Sequence, residues 1–382
     1  MTTTAARRLG DQTAIPMCLM RGGTSRGPMF LAADLPDDPQ VRDQVLLAVM
    51  GSPHPLQVDG LGGAHSLTSK AGIIERSDQA DVDLDFTFVQ LQPEATTVQT
   101  TQNCGNMLAA VVPFAVEAGL IHPTEDATDV VVRTTNTGLI SRIGISTPQL
   151  NGQRYVRYSG DAEIAGVNGT ASPVNIRFLN TAGSIASALL PTGNVSDAVE
   201  VEGQDYTVTF IDNGQPLVII DAEDLGVTGY ETVAELTENT QLKTRVEALR
   251  LAAAKVMGLG DVTEESYPKM TLVAAPKSGG AISTRSFIPH RVHESIGVLA
   301  AVTVATALLM DGTVAARVGV PGTGQRQTIG IEHPTGIFEA LVDVNDDGEV
   351  VASGNTRTAR LISRGEVYVP ASIWDPSGTE KF

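Results

Sequence analysis

Lys70 and Cys104 are the two side chains whose sequence surroundings point to acid–base chemistry. Lys70 ends a loop rich in glycine and hydroxyls, Asp59-Gly60-Leu61-Gly62-Gly63-Ala64-His65-Ser66-Leu67-Thr68-Ser69, and opens onto the apolar run Ala71-Gly72-Ile73-Ile74. An amine at the junction of such a loop with a buried strand loses solvent. Burial lowers its pKa and leaves a neutral amine to act as a base. Cys104 lies in the polar knot Gln102-Asn103-Cys104-Gly105-Asn106-Met107, directly before an apolar stretch that reads as a buried helix to Gly119. A thiol at a helix N-terminus is favoured as thiolate. The plainer readings are a solvated loop lysine and a packed, inert thiol. A second polar knot, His290 to Gly297, also runs into an apolar helix, Val298 to Met310, with Ser295 where Cys104 stood. That repetition, and the company of Lys70, weigh against an inert thiol. An amine and a thiolate of tuned pKa suit removal of a proton from carbon beside a carbonyl or carboxylate. Donors at two helix N-termini would stabilise the enolate oxygens and hold substrate carboxylates. This chemistry demands no cofactor.

Competing chemistries fit less well. No GxSxG elbow is present, and His290 and His293 lack the accompanying carboxylates of a metal site. Asp343 to Gly348 imitates the start of a calcium loop, but the twelfth position, which needs glutamate, is Gly354; a hairpin turn is the expectation. Arg21-Gly22-Gly23-Thr24-Ser25-Arg26-Gly27 could offer backbone donors to an anion, yet is not a P-loop. No metal is expected.

The elements that must position these groups belong to a mixed α and β protein. With 382 residues, 42% hydrophobic and 4% aromatic, the chain is long enough for two or three cores. Its net charge of −18 argues against a nucleic-acid partner. Two cysteines, Cys18 and Cys104, form no disulfide framework, and no run reaches bilayer-spanning length. A cytoplasmic protein with no membrane partner is the expectation; a homodimer is a base-rate expectation only. Residues 1–13 read as a tail and 34–50 as an amphipathic helix. Alternation over 82–92 marks a strand, and two strands flank the turn at 136–138. Further strands are expected at 155–158, 174–178, 205–211, 216–220, 272–275, 329–331 and 338–344. Residues 233–257 read as helical and 357–363 as a short helix before a last strand at 366–370. The punctuation in Ser187 to Asn194 suggests lobes at 1–190 and 191–382, with the final strand, 366–371, a candidate to return to the first lobe.

Several long motifs in order carry a family resemblance: Met20-Arg-Gly-Gly-Thr-Ser-Arg-Gly27, the GLGGxxSxTSK loop ending at Lys70, NCGNM around Cys104, LLPTGN ending at Asn194, and His290 to Gly297. With Arg357-Thr-Ala-Arg-Leu361 and Val367-Tyr-Val-Pro370, they span most of the chain. The sequence resembles the 4-oxalomesaconate tautomerase / methylaconitate cis-trans isomerase family, related in fold to diaminopimelate epimerase. That resemblance implies an α+β fold of two pseudo-symmetric lobes, each a curved, mostly antiparallel sheet around a central buried helix. It also implies cofactor-independent proton transfer on a small anionic di- or tricarboxylate. Epimerase relatives use two cysteines; here Ser295 stands at the second position, which fits an allylic or keto–enol isomerase better than a symmetric two-thiol racemase. Lys70 and Cys104 are then the catalytic candidates. Arg21, Thr24, Ser25, Ser69, Gly105, Asn106, Arg285 and Ser295 are the substrate-binding candidates, with Arg26, Lys277 and Arg291 behind them. Leu31-Ala-Ala-Asp-Leu-Pro36, Met50-Gly-Ser-Pro53 and Asp212-Asn-Gly-Gln-Pro216 look most like the tautomerase branch, which interconverts keto and enol 4-oxalomesaconate in gallate breakdown. The alternatives are methylaconitate or methylitaconate isomerisation; a non-catalytic carboxylate-binding protein would use the same residues without proton exchange.

Overall fold

The computed structural model describes residues 5–288 and 291–378. The chain divides into two compact units, Met1–Ile176 with Thr356–Phe382, and Arg177–Asn355. The first division therefore falls at 176/177, ahead of the expected 190/191, and the chain rejoins the first unit from 356. The turn at 191–194 is internal to the second unit. Asp212 N donates to Leu189 O at 2.8 Å, and Asn194 and Thr192 are tied to Asp197.

In chain order the first unit holds β1 (Arg7–Leu9), β2 (Gln12–Gly22), β3 (Ser25–Leu31), α1 (Pro39–Met50), β4 (Lys70–Arg76), β5 (Leu84–Gln90), α2 (Gly105–Leu108), α3 (Val111–Glu117), β6 (Ala127–Thr134), β7 (Leu139–Ser146), β8 (Gln149–Leu150), β9 (Gln153–Arg154) and the start of β10 (Pro173–Leu179). The second holds β11 (Asp197–Val201), β12 (Gln204–Asp212), β13 (Pro216–Asp221), α4 (Val233–Glu238), α5 (Thr240–Val256), β14 (Lys269–Ala274), β15 (Ile282–Ile288), β16 (Arg291–Val292), α6 (Val298–Leu308), α7 (Val314–Val318), β17 (Arg326–His333), β18 (Gly336–Val344) and the start of β19 (Val350–Pro370).

Within the first unit, β2–β3, β4–β5 and β6–β7 pair antiparallel, while β3–β4 and β5–β6 pair parallel. β10 pairs with β7 and β19, and β19 runs antiparallel to β2 from Ala359↔Gly22 to Pro370↔Gln12, so the strands close on themselves. Residues 107–112 and 114–115, in and between α2 and α3, are wholly buried among them. The expected continuous helix is in fact two pieces. Pro113 has no N–H to give Ala109 O, and its ring crowds that carbonyl. Ala109 and Ala110 instead bond three residues back, to Asn106 O and Met107 O.

In the second unit, β11–β12–β13 and β14–β15 are antiparallel pairs joined by the parallel pair β13–β14, and β15–β17 is parallel again. The apolar core of this unit gathers Phe210, Val218, Ile220, Leu249, Leu272 and Phe287. The helix expected over 233–257 breaks at Asn239, whose side chain caps the second piece at Leu242 N.

Two other expectations are corrected. Residues 357–363 form no helix but part of β19. The hydrogen-bonded register with β2 and the β-branched Thr358 and Ile362 favour the strand, and a bulge leaves Ile362 46% exposed. Residues 155–158 are extended without regular pairing, held by single bonds such as Arg157 N to Ser146 O at 3.0 Å. The calcium-like stretch is the β18–β19 turn, where Asn345 Oδ1 accepts from Asp347 N and Glu349 N. Among the described residues no helix is long and apolar enough to cross a membrane, and no group of three His, Cys, Asp or Glu could hold a metal ion.

Candidate active site

Lys70 is the first residue of β4 and only 6% exposed. It reaches that depth because β3 runs alongside with Gly27 opposite: a Cβ there would lie 1.9 Å from Lys70 O. The amine sits over the Phe88 ring, 4.9 Å from its centroid, and donates to Gln90 Oε1. Burial lowers the Lys70 pKa, opposed in part by the nearby Cys104 side chain, which favours the ammonium. The burial that the sequence reading expected for the Lys70 amine is present.

The loop before Lys70 is organised by Gln57, which the sequence reading missed. Gln57 is buried; its Oε1 accepts from Ala64 N at 2.9 Å and Ser69 Oγ at 2.8 Å, and its Nε2 donates to Ser52 Oγ at 3.0 Å. Ser69 also lies 2.9 Å from His65 O and is fully buried. Its one hydroxyl proton is committed within the loop, so Ser69 shapes the segment that carries Lys70.

Cys104 is part-buried and precedes the first helical residue, Gly105, with extended backbone (φ −133°, ψ 97°). The helix it heads has four residues before the Pro113 break, so the dipole invoked from sequence is weaker than a continuous helix would supply. Asn106 folds back over the β2–β3 hairpin. Its Nδ2 donates to Thr24 Oγ1 at 3.0 Å, and its carbonyl faces Gly22, where a Cβ would lie 2.3 Å away. Gly23, at φ +52°, completes that turn beneath the Asn106 amide. Arg21 Nη1 is spent on the fold, donating to Gly23 O at 2.8 Å and to Thr358 O and Oγ1, each at 3.0 Å. Ser25 Oγ, Arg26 Nε and Asn103 Oδ1 are buried polar atoms without a protein partner among the described residues. Such atoms call for a ligand or water. Arg26 lies against the loop before Lys70, since its Nη2 is 2.7 Å from where a Gly63 Cβ would be.

Arg285 and Ser295 belong to the second unit. Arg285 is 6% exposed and donates to Glu231 O at 2.8 Å and Thr284 O at 2.9 Å; its guanidinium stacks 5.6 Å from the Tyr230 ring centroid. Lys277 lies over the same ring at 4.4 Å, on a loop whose amides at 277, 278 and 280 are gathered by the Glu332 carboxylate. Ser295 Oγ is 3.3 Å from His333 Nε2. It does not match Cys104 position for position, because Gly297, not Ser295, is the N-cap of α6. His293 and His333 are held below the usual imidazole pKa, first by burial, then by Lys269 for His293 and by His293 and Arg285 for His333. Arg291 is exposed, and His290 lies outside the described residues.

Gln90 also escaped the sequence reading, although a signal existed. In β5 Leu84, Phe86 and Phe88 are buried on one face, Val89 is buried on the other, and Gln90 shares the parity of the first three and is 6% exposed. A glutamine on the buried face of a strand needs partners. It pairs in register with Lys70.

The fold is that of methylitaconate delta-isomerase: the crystal structure of that protein superposes with a TM-score of 0.86 at 32% identity, over 97% of this chain and 100% of the other. By sequence the chain is 49% identical to (4E)-oxalomesaconate Delta-isomerase of Novosphingobium sp., over 95% of this chain and 99% of the relative. It is 48% identical to 4-oxalomesaconate tautomerase of Pseudomonas putida, over 97% and 99%. Fold and relatives place the chain among the isomerases. Residues 12–370 match the PrpF protein family, and the chain belongs to it.

Proposed function

We propose that this protein is a cofactor-independent isomerase that moves a proton in 4-oxalomesaconate, or a close unsaturated tricarboxylate, with Lys70 as the base. The observation that carries the reading is the Lys70 amine, buried over Phe88, lowered in pKa and without a carboxylate partner among the described residues. A structural lysine at this depth would be expected to pair with an acid. The neutral Nζ takes the proton from carbon conjugated to the keto group. The C–H electron pair passes into the adjoining π system as a dienolate, and the ammonium returns the proton at the other end, or to oxygen in the keto–enol case. Cys104, whose charge favours the Lys70 ammonium, is proposed as its partner in proton handling. Thr24, Ser25, Asn106 and the Gly105 amide are proposed to supply donors to carboxylate oxygens, with Arg21 adding positive charge. Arg285 and Ser295 are proposed as further substrate contacts.

The same reading takes the two units as pseudo-equivalent lobes of a diaminopimelate epimerase-like fold; a buried helical segment in each, the broken α2–α3 in the first and the continuous α6 in the second, supports it. It places the reaction in gallate breakdown and the protein in the cytoplasm. Two relatives at 48–49% identity carrying oxalomesaconate names favour that substrate over methylaconitate or methylitaconate. The test is solvent-deuterium wash-in, followed by NMR, with oxalomesaconate against methylaconitate. Deuterium should enter oxalomesaconate fastest, and Lys70→Met should abolish exchange with the fold intact. A fully active Lys70→Met protein would refute the role of the amine. Tight carboxylate binding with no exchange in the unaltered protein would turn the reading into one of binding alone.

A further inference from the structure

We infer that Gln90 is a positioning residue that aims the Lys70 amine. The inference rests on Lys70 being the base, as proposed above. A lysine amine ends a flexible four-carbon stem, so burial alone does not fix where its lone pair points. Gln90 supplies the missing constraint. Its Nε2 faces three carbonyl oxygens, Ser66 O at 3.1 Å, Ser69 O at 3.2 Å and Leu91 O at 2.7 Å. The amide cannot turn over, because the reverse orientation would set Oε1 against those three carbonyls. Gln90 Oε1 is thereby held toward Lys70 Nζ, to which it is hydrogen-bonded. The residue's backbone is pinned as well: Gln90 N donates to Gln99 O at 2.9 Å, and Gln99 N donates back at 3.0 Å.

The amide therefore has two consequences for Lys70. It accepts one amine proton and, with the Phe88 ring beneath, leaves Nζ one direction for a lone pair or transferable proton. It also favours the ammonium, opposing the burial that makes the amine a base. Every polar atom of the Gln90 side chain is engaged within the protein and the residue is buried, so it acts through Lys70 and not on substrate.

The test is the pH dependence of kcat in the full-length protein carrying Gln90→Glu or Gln90→Met. A carboxylate beside the amine should move the acid limb of the profile up by about one unit or more. Gln90→Met, which removes the acceptor and keeps the bulk, should move it down. Both should lower kcat by roughly tenfold or more, since aim is lost, while KM changes little. Unfolding midpoints report any damage to the fold separately. If either folded variant keeps the unaltered acid limb and kcat, Gln90 does not position the base. Should Gln90→Glu fail to fold, Gln90→Met alone decides. The two readings fail differently: active Lys70→Met removes the base itself, whereas inactive Lys70→Met with unshifted Gln90 variants overturns only this inference.

Discussion

Gly27→Ala offers a quantitative test of how Lys70 is placed. The added Cβ would stand 1.9 Å from Lys70 O and 2.7 Å from its carbonyl carbon, both backbone atoms that no rotamer change can clear. Ordinary contact begins near 3.4 Å, so β3 and β4 must separate locally by 3.4 − 1.9 = 1.5 Å. The parallel pairing that continues at Met29↔Gly72 resists that movement. Overpacking of this kind costs about 1–3 kcal/mol, and displacing a reacting group by about 1 Å costs roughly 100-fold in rate. Urea unfolding and kcat/KM should therefore fall together. Gly365→Ala is the control: it sits in β19, nothing lies within 4 Å of its new Cβ, and it should change stability by no more than ~0.5 kcal/mol. A Gly27→Ala protein matching this control in both measurements would refute the account of how the hairpin seats Lys70.

Stability should carry the signature of the buried amine as well. Lys70 is shifted below 10.5 in the folded protein only, so between the two pKa values the unfolded chain binds more protons and stability rises with pH. Each unit of separation is worth about 1.4 kcal/mol. Lys70→Met should remove this rise from urea midpoints measured between pH 7 and pH 10; an unchanged slope would contradict it. Asp212→Asn tests whether the Asp212–Pro216 motif, which resembles the tautomerase branch, touches substrate. The Asp212 carboxylate accepts from Ser184 Oγ at 2.9 Å, Ile185 N at 2.6 Å and Ala186 N at 2.8 Å, and the residue is fully buried. The substitution should cost roughly 2 kcal/mol in urea unfolding and leave the preference between oxalomesaconate and methylaconitate unchanged.

Local chemistry was legible in the sequence where it depended on neighbours in the chain. Lys70 at a loop–strand junction, the polar knot at Cys104 and the long apolar run of α6 could each be read from a dozen residues. What depended on distant pairing was not. Arg357 to Ser363 has the length and composition of a short helix, and only the register with β2 makes it strand. Gln57 looks like a surface glutamine until the loop closes around it, and the parity of Gln90 in β5 signals burial without naming the carbonyls and amine it meets. The division at 176/177 was hidden for the same reason: β10 and β19 are strands whose residues fall in both units, so no loop marks the boundary. The break between α2 and α3 was a different kind of miss, since Pro113 was visible and the carbonyl it crowds, Ala109, is four residues back.

The glycine motif at 21–27 invited a reading as an anion-binding loop, and the structure points to a further reason for its glycines. Gly22 and Gly23 admit the Asn106 backbone and side chain, while Gly27 admits the Lys70 carbonyl. One hairpin, β2–β3, therefore seats both the start of α2, with Cys104 at its cap, and the start of β4. The two groups proposed to handle the proton both sit on elements packed against this one hairpin, and any change that moves the hairpin should disturb both together. Between those contacts the hairpin presents Ser25 and Arg26, each with a buried polar atom that the protein leaves unpartnered among the described residues. A hairpin built only for packing would have filled such positions with apolar side chains, because an unmet buried donor costs about 1–3 kcal/mol. The same seven residues thus seat Lys70 and the helix that Cys104 caps by what their glycines lack, and they leave the buried polar atoms of Ser25 and Arg26 unsatisfied within the protein among the described residues.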